Sequence, residues 1–152
     1  MDSILSILSN HVLIVYLLGW FVAQTLKIPM HRIVEHEWDF SRFVGSGGMP
    51  SSHSSMVTAG AIAIGITEGF GTPIFALAVA FAIIVMYDAA GVRRETGTQA
   101  TVINQILKDV LINGKPISNE ELKELVGHTP LEVVCGSITG LMVAVIYFLI
   151  VF

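Results

Sequence analysis

Two histidines and one glutamate carry the chemistry this chain can do. His53 stands in Gly48-Met49-Pro50-Ser51-Ser52-His53-Ser54, where a polar loop gives way to an apolar segment. His128 and Glu132 stand in Gly127-His128-Thr129-Pro130-Leu131-Glu132-Val133. In the first string Pro50 makes a turn, and the small hydroxyl residues offer N–H groups at an expected helix start, a place that attracts anions. Gly48, Ser51 and Ser52 are expected either to cradle a phosphate through their backbone or simply to cap the helix. In the second string Glu132 follows His128 by one helical turn, so the two can share a face. A carboxylate on one ring nitrogen fixes the tautomer and stabilises the cation formed when the other nitrogen attacks. A second histidine can protonate a departing alkoxide. With cations and N–H donors for the anionic oxygens, this is an inventory for phosphoryl transfer. It is complete without a metal or other cofactor.

The elements that must bring these residues together are apolar. Of 152 residues, 53% are hydrophobic and 13% charged, and the net charge is -4. A soluble domain carries about 25% charged residues. Mean hydropathy is +0.74. Cys135 is the one cysteine, which excludes an internal disulfide, and it reads as a small buried residue. No Lys or Arg precedes the first apolar run, so the start does not read as a cleaved signal peptide. The pattern predicts an all-α integral membrane protein, one domain over 1–152, with spans near 4–27, 53–68, 73–89 and 130–152. A spanning helix needs roughly 20 apolar residues, and the middle two segments are short. Their polar ends are therefore expected to dip into a protein-lined cavity. Ser9-Asn10-His11 interrupts the first segment, and Glu68 to Pro73 make a tight hairpin.

Charge placement orients the spans. Lys27, Arg32 and Arg42 fall in or beside loop 28–52, and Arg93, Arg94, Lys108, Lys115 and Lys123 in loop 90–129. Those are all eight basic residues. With four spans both loops share a face, and the positive-inside rule makes it cytoplasmic, with both termini outside, in a multi-pass cell-membrane protein. The same face then holds His53, His128, Glu132, Lys27, Asp88, Arg93 and Arg94. Asp88 is expected to orient Arg93, because ionisable groups at membrane depth are costly. Val102, Ile103, Ile106, Leu107, Val110 and Leu111 predict an amphipathic interfacial helix. Ser118 with Glu121 predicts a short capped helix up to about Val126. Gly136 with Gly140, and Ala61 with Gly65, are small pairs suited to helix packing or to a homodimer. His31, Glu35, His36, Glu37 and Asp39 lack a recognised metal spacing and read as a solvated loop, with Trp38 and Phe40 at the interface. No nucleic-acid partner is expected.

Pro50-Ser51-Ser52-His53 resembles the Pro-Ser-Gly-His motif of the type 2 phosphatidic acid phosphatase superfamily. The run from Gly127 to Gly136 resembles its third motif, a His followed by an acid, Val and Gly. Tyr87-Asp88-Ala89-Ala90-Gly91-Val92-Arg93-Arg94 further resembles its divergent branch, the divergent PAP2 family. The resemblance implies a helical bundle of that type. It also implies His128 as nucleophile, Glu132 as its orienting acid and His53 as general acid, with Lys27, Arg93 or Arg94 on the phosphate. The chain departs from the pattern at Val34, Leu122, Ser52 and Glu132, where the superfamily has Arg, Arg, Gly and Asp. Two functions follow as expectations. One is a phosphatase acting on a phosphomonoester or pyrophosphate of a lipid through a phosphohistidine. The other is a non-catalytic phospholipid-binding or transport protein that keeps the anion pocket.

Overall fold

The computed structural model describes residues 2–45, 47–91, 97, 99–103 and 128–152. All regular structure among them is helical. The elements are α1 (Asp2–Leu8), α2 (His11–Glu35), a 3-10 turn (Phe40–Phe43), α3 (Ser52–Glu68), α4 (Pro73–Ala90) and α5 (Pro130–Val151). Residues 99–103 are also helical and overlap the start of the expected amphipathic segment. The rest of that segment and the Ser118–Glu121 cap lie outside the described residues.

The first apolar segment is two helices. Asn10 ends the run of α1 and caps α2, its side chain accepting from the Leu13 N–H at 3.0 Å. The polar interruption is thus a helix boundary. At the other end α2 does not stop near residue 27 but continues to Glu35, with Pro29 inside it. The apolar run ends there, yet Lys27, Met30, Arg32 and Glu35 remain good helix formers. His36, in a left-handed conformation at φ 61°, ends the helix. Residues 28–35 are therefore helix rather than loop.

α3 lies at the centre, packed against α2, α4 and α5. Apart from Val57, its buried positions are Ser, Ala or Gly: Ser52, Ser54, Ser55, Ala59, Gly60, Ala61, Ala63 and Gly65. α5 runs parallel to it. Gly136 faces Ser51 and Gly140 faces Ser55, so close that a methyl group on either glycine would strike a carbonyl oxygen of α3. This glycine pair is consumed inside the chain, and a dimer would need another face. α2 runs antiparallel to α3, with Gly19 against Ala59 and the Ser55 hydroxyl donating to the Gly19 carbonyl at 2.7 Å. Val15, Ala59, Ala63, Ala144 and Phe148 form the core of the bundle.

Among the described residues α2, α4 and α5 are long and apolar enough to cross a membrane. α3, with 17 residues and a polar first turn, is not. Outward-facing side chains such as Phe21, Leu77, Phe81, Ile84, Leu149 and Ile150 are exposed. On a water-soluble protein so much exposed apolar surface would be a liability; around these helices it is a lipid-facing surface.

Candidate active site

The helix directions gather one end of each element. The C-terminal halves of α2 and α4 meet the N-termini of α3 and α5. Because α3 and α5 are parallel, two positive dipole ends lie side by side. Helix first-turn N–H groups have no acceptor inside their own helix, so such an end suits an anion.

His128 is 1% exposed. Its backbone N–H donates to the Ala89 carbonyl of α4 at 3.1 Å, which fixes the residue just ahead of α5. Thr129 caps α5 in a capping box with Glu132. Glu132 Oε2 accepts from the Thr129 N–H at 3.1 Å and lies 2.9 Å from His128 Nδ1. The helix cap therefore also places the carboxylate on the histidine. Since a carboxylate only accepts, the neutral ring carries its hydrogen on Nδ1 and presents a lone pair at Nε2. Among the described residues, Nε2 is buried without a hydrogen-bond partner. The half-buried His53 ring stands edge-on to it, with centroids 6.0 Å apart at 61°. Residues about half the chain apart are thus brought into ring contact.

Ser51 takes the second of its two expected roles, as the N-cap of α3. Its N–H donates to the Glu132 carbonyl at 3.0 Å, and its hydroxyl accepts from the Ser54 N–H and hydroxyl. The Ser51 backbone donor is occupied in tying α3 to α5, which leaves no N–H there for a phosphate. Ser52 is buried at the first position of α3. Gly48 adopts φ +89° with open space on its Cβ side.

Lys27 is 2% exposed, and its Nζ donates to the Gly45 carbonyl at 3.0 Å. It interacts electrostatically with Glu132 and with Arg42. Gln24, one turn earlier, is 4% exposed and donates from Nε2 to the Phe43 carbonyl at 2.6 Å. A glutamine inside an apolar run was the available signal for it, since buried polar groups in membrane helices need partners. Asp88 is exposed in the last turn of α4, one residue from the carbonyl that holds His128. Arg93 and Arg94 lie outside the described residues, as does Gly127. No group of three or more His, Cys, Asp or Glu side chains among the described residues is gathered as metal ligands would be.

A helical membrane bundle with a buried His-carboxylate pair beside a second histidine and a buried lysine defines the class. The sequence comparisons then place the chain: it belongs to the Divergent PAP2 family, whose pattern matches residues 8–143. It is 38% identical over 152 residues to the uncharacterized membrane protein YuiD of Bacillus subtilis (strain 168), covering 93% of this chain and 96% of that one. No solved structure matches it.

Proposed function

We propose that the protein hydrolyses a phosphomonoester or pyrophosphate carried on a lipid. The observation that carries this reading is His128: Nδ1 held by Glu132, Nε2 buried and lacking a partner among the described residues, and the His53 ring in contact with the His128 ring. Nε2 attacks phosphorus and forms the N–P bond while the bond from phosphorus to the leaving oxygen breaks. Protonated His53 gives its proton to that oxygen. Glu132 stabilises the imidazolium. Neutral His53 then takes a proton from water, whose oxygen attacks the phosphohistidine, releasing phosphate and restoring Nε2. Lys27, Ser52 and Gly48, with Arg93 or Arg94, are proposed to hold the phosphate oxygens, and Asp88 to orient the arginine.

We further propose that α2, α3, α4 and α5 all cross the bilayer and that the site faces the cytoplasm. Lys27, Arg32 and Arg42 are the described basic residues, and they all follow the midpoint of α2, towards the end where His53 and His128 meet. That asymmetry supports the orientation.

The test uses the purified full-length chain in detergent with a lipid phosphomonoester. Phosphate release should occur, vanadate should inhibit it, and His128→Ala should lower it by at least ~10³-fold. Undiminished release from a folded His128→Ala variant would exclude the mechanism. Binding by the wild type without release would shift the reading to the non-catalytic alternative.

A further inference from the structure

We infer that the segment from Trp38 to Gly45 is a re-entrant hook seated in the headgroup boundary of the bilayer, with Trp38, Phe40 and Val44 as its lipid contacts. The inference goes beyond the phosphatase reading and does not rest on it; its ground is that the chain is a membrane protein. The sequence suggests a solvated loop with two aromatics at an interface, but the fold turns that loop back. α2 has 25 residues and rises about 37 Å at 1.5 Å each, so it overruns a hydrocarbon layer of about 30 Å by about 7 Å. After His36 the chain does not run on outward. Gln24 Nε2 donates to the Phe43 carbonyl at 2.6 Å, and Lys27 Nζ to the Gly45 carbonyl at 3.0 Å. Gln24 lies about 16 Å before Glu35 along the helix axis, so the hook regains the depth of the span. The Phe43 ring also meets the Phe21 ring edge-on, with centroids 6.1 Å apart.

The hook is built for that depth. Irregular backbone is tolerated within a membrane only where protein satisfies its polar groups. Here the Phe43 and Gly45 carbonyls are taken by α2, and the Ser41 carbonyl accepts from the Val44 and Gly45 N–H groups at 3.1 and 3.2 Å. Its two charged residues cancel, since Arg42 Nε donates to Asp39 Oδ2 at 3.0 Å. Asp39 Oδ1 accepts in turn from the Ser41 N–H and hydroxyl. A lone charge would be costly there.

What the hook turns outward is apolar. Trp38 is 62% exposed, Phe40 71% and Val44 87%. Trp38 and Phe40 stack, 6.3 Å apart at 13°, and the Arg32 guanidinium lies 6.0 Å over the Trp38 ring. Tryptophan with a basic partner is the chemistry of the membrane boundary, the ring in the acyl edge and the cation among lipid phosphates. The patch is continuous with the lipid-facing surface of the bundle through Phe21, itself exposed on α2. That continuity favours lipid as the occupant.

The test reads Trp38 in the full-length chain reconstituted in phosphatidylcholine vesicles. The chain has two tryptophans, Trp20 and Trp38, so Trp20→Phe leaves Trp38 as the reporter. Vesicles of lipid brominated next to the headgroup should quench its emission by about half or more, and aqueous iodide should quench it far less. Quenching by iodide with none by the brominated lipid would put the hook in water and overturn the inference. Protection from both quenchers would mean that protein, such as a second copy of the chain, covers the hook, and overturns it too. If Trp20→Phe loses its fold, a nitroxide on Val44→Cys in a Cys135→Ala chain carries the same test. Dissolved oxygen should relax that label more than a water-soluble nickel chelate, and the reverse order overturns the inference. No arm depends on phosphate release, so the phosphatase reading stands or falls separately.

Discussion

The bundle holds a histidine at each end, and the two are built alike. At one end His11 Nδ1 lies 2.8 Å from the Tyr147 hydroxyl, with Phe152 edge-on at 5.3 Å. At the other His128 Nδ1 lies 2.9 Å from Glu132, with His53 edge-on at 6.0 Å. The bond lengths barely differ. The partners do. A phenol is neutral at neutral pH, whereas a carboxylate brings a negative charge that can stabilise an imidazolium formed beside it. The ring beside His11 is a phenylalanine, with no titratable group, whereas the ring beside His128 is a second histidine. Similar hydrogen-bond geometry thus gives a helix fastener at one end and a candidate nucleophile at the other.

The largest expected effect separates the two directly. Where His128→Ala should abolish phosphate release, His11→Ala should change turnover less than about threefold and cost about 1 kcal/mol of stability, one hydrogen bond's worth. Equal losses of turnover from both would collapse the comparison. Next, Glu132→Gln keeps a side chain that can still cap α5 but removes the carboxylate. Turnover should fall by about 10²–10⁴-fold, by analogy with amide replacement of an orienting acid, while the thermal midpoint moves little. Tyr147→Phe should show the opposite pattern, a lower midpoint with turnover nearly intact. The smallest effect comes from the packing that serves the active end. Gly140→Ala forces α5 away from the Ser55 carbonyl, a backbone atom that cannot swing aside. A cost of about 1–3 kcal/mol is expected, with a partial loss of turnover as the Ser51–Glu132 bond loosens. An unchanged midpoint and unchanged turnover would show that α3 and α5 need not touch there.

The apolar helices and the His128–Glu132 pairing were legible because both are local patterns, one of run length and one of turn spacing. Hydropathy locates where an apolar run ends, not where a helix ends, and so it missed the extension of α2 to Glu35. Thr129-x-x-Glu132 was readable as a capping box, but Glu132 was assigned to His128 alone; the fold gives it both tasks. Gly136 and Gly140 announced a close neighbour without naming it. The choice of Ser51 and Ser55 on α3 is a long-range fact that no local spacing encodes, and it removed the Ser51 N–H from the expected phosphate cradle.

The central place of α3 bears on how the protein is made. Its 17 residues rise about 26 Å at 1.5 Å each, short of a hydrocarbon layer of about 30 Å. Its first turn, Ser52-His53-Ser54-Ser55, would meet lipid if the helix entered alone. On the proposed topology, in which α3 crosses with α2, α4 and α5, it would enter the bilayer in company, with the Gly69–Thr72 turn letting α4 carry it as a hairpin. During synthesis, a chain cut after Glu68 should leave α3 accessible to aqueous thiol reagents at an introduced cysteine, and one extended through Ala90 should protect it. Protection in the shorter chain would mean that α3 partitions by itself. On that topology, the polar first turn that brings His53 to the candidate site is the same feature that would make α3 depend on its neighbours for entry.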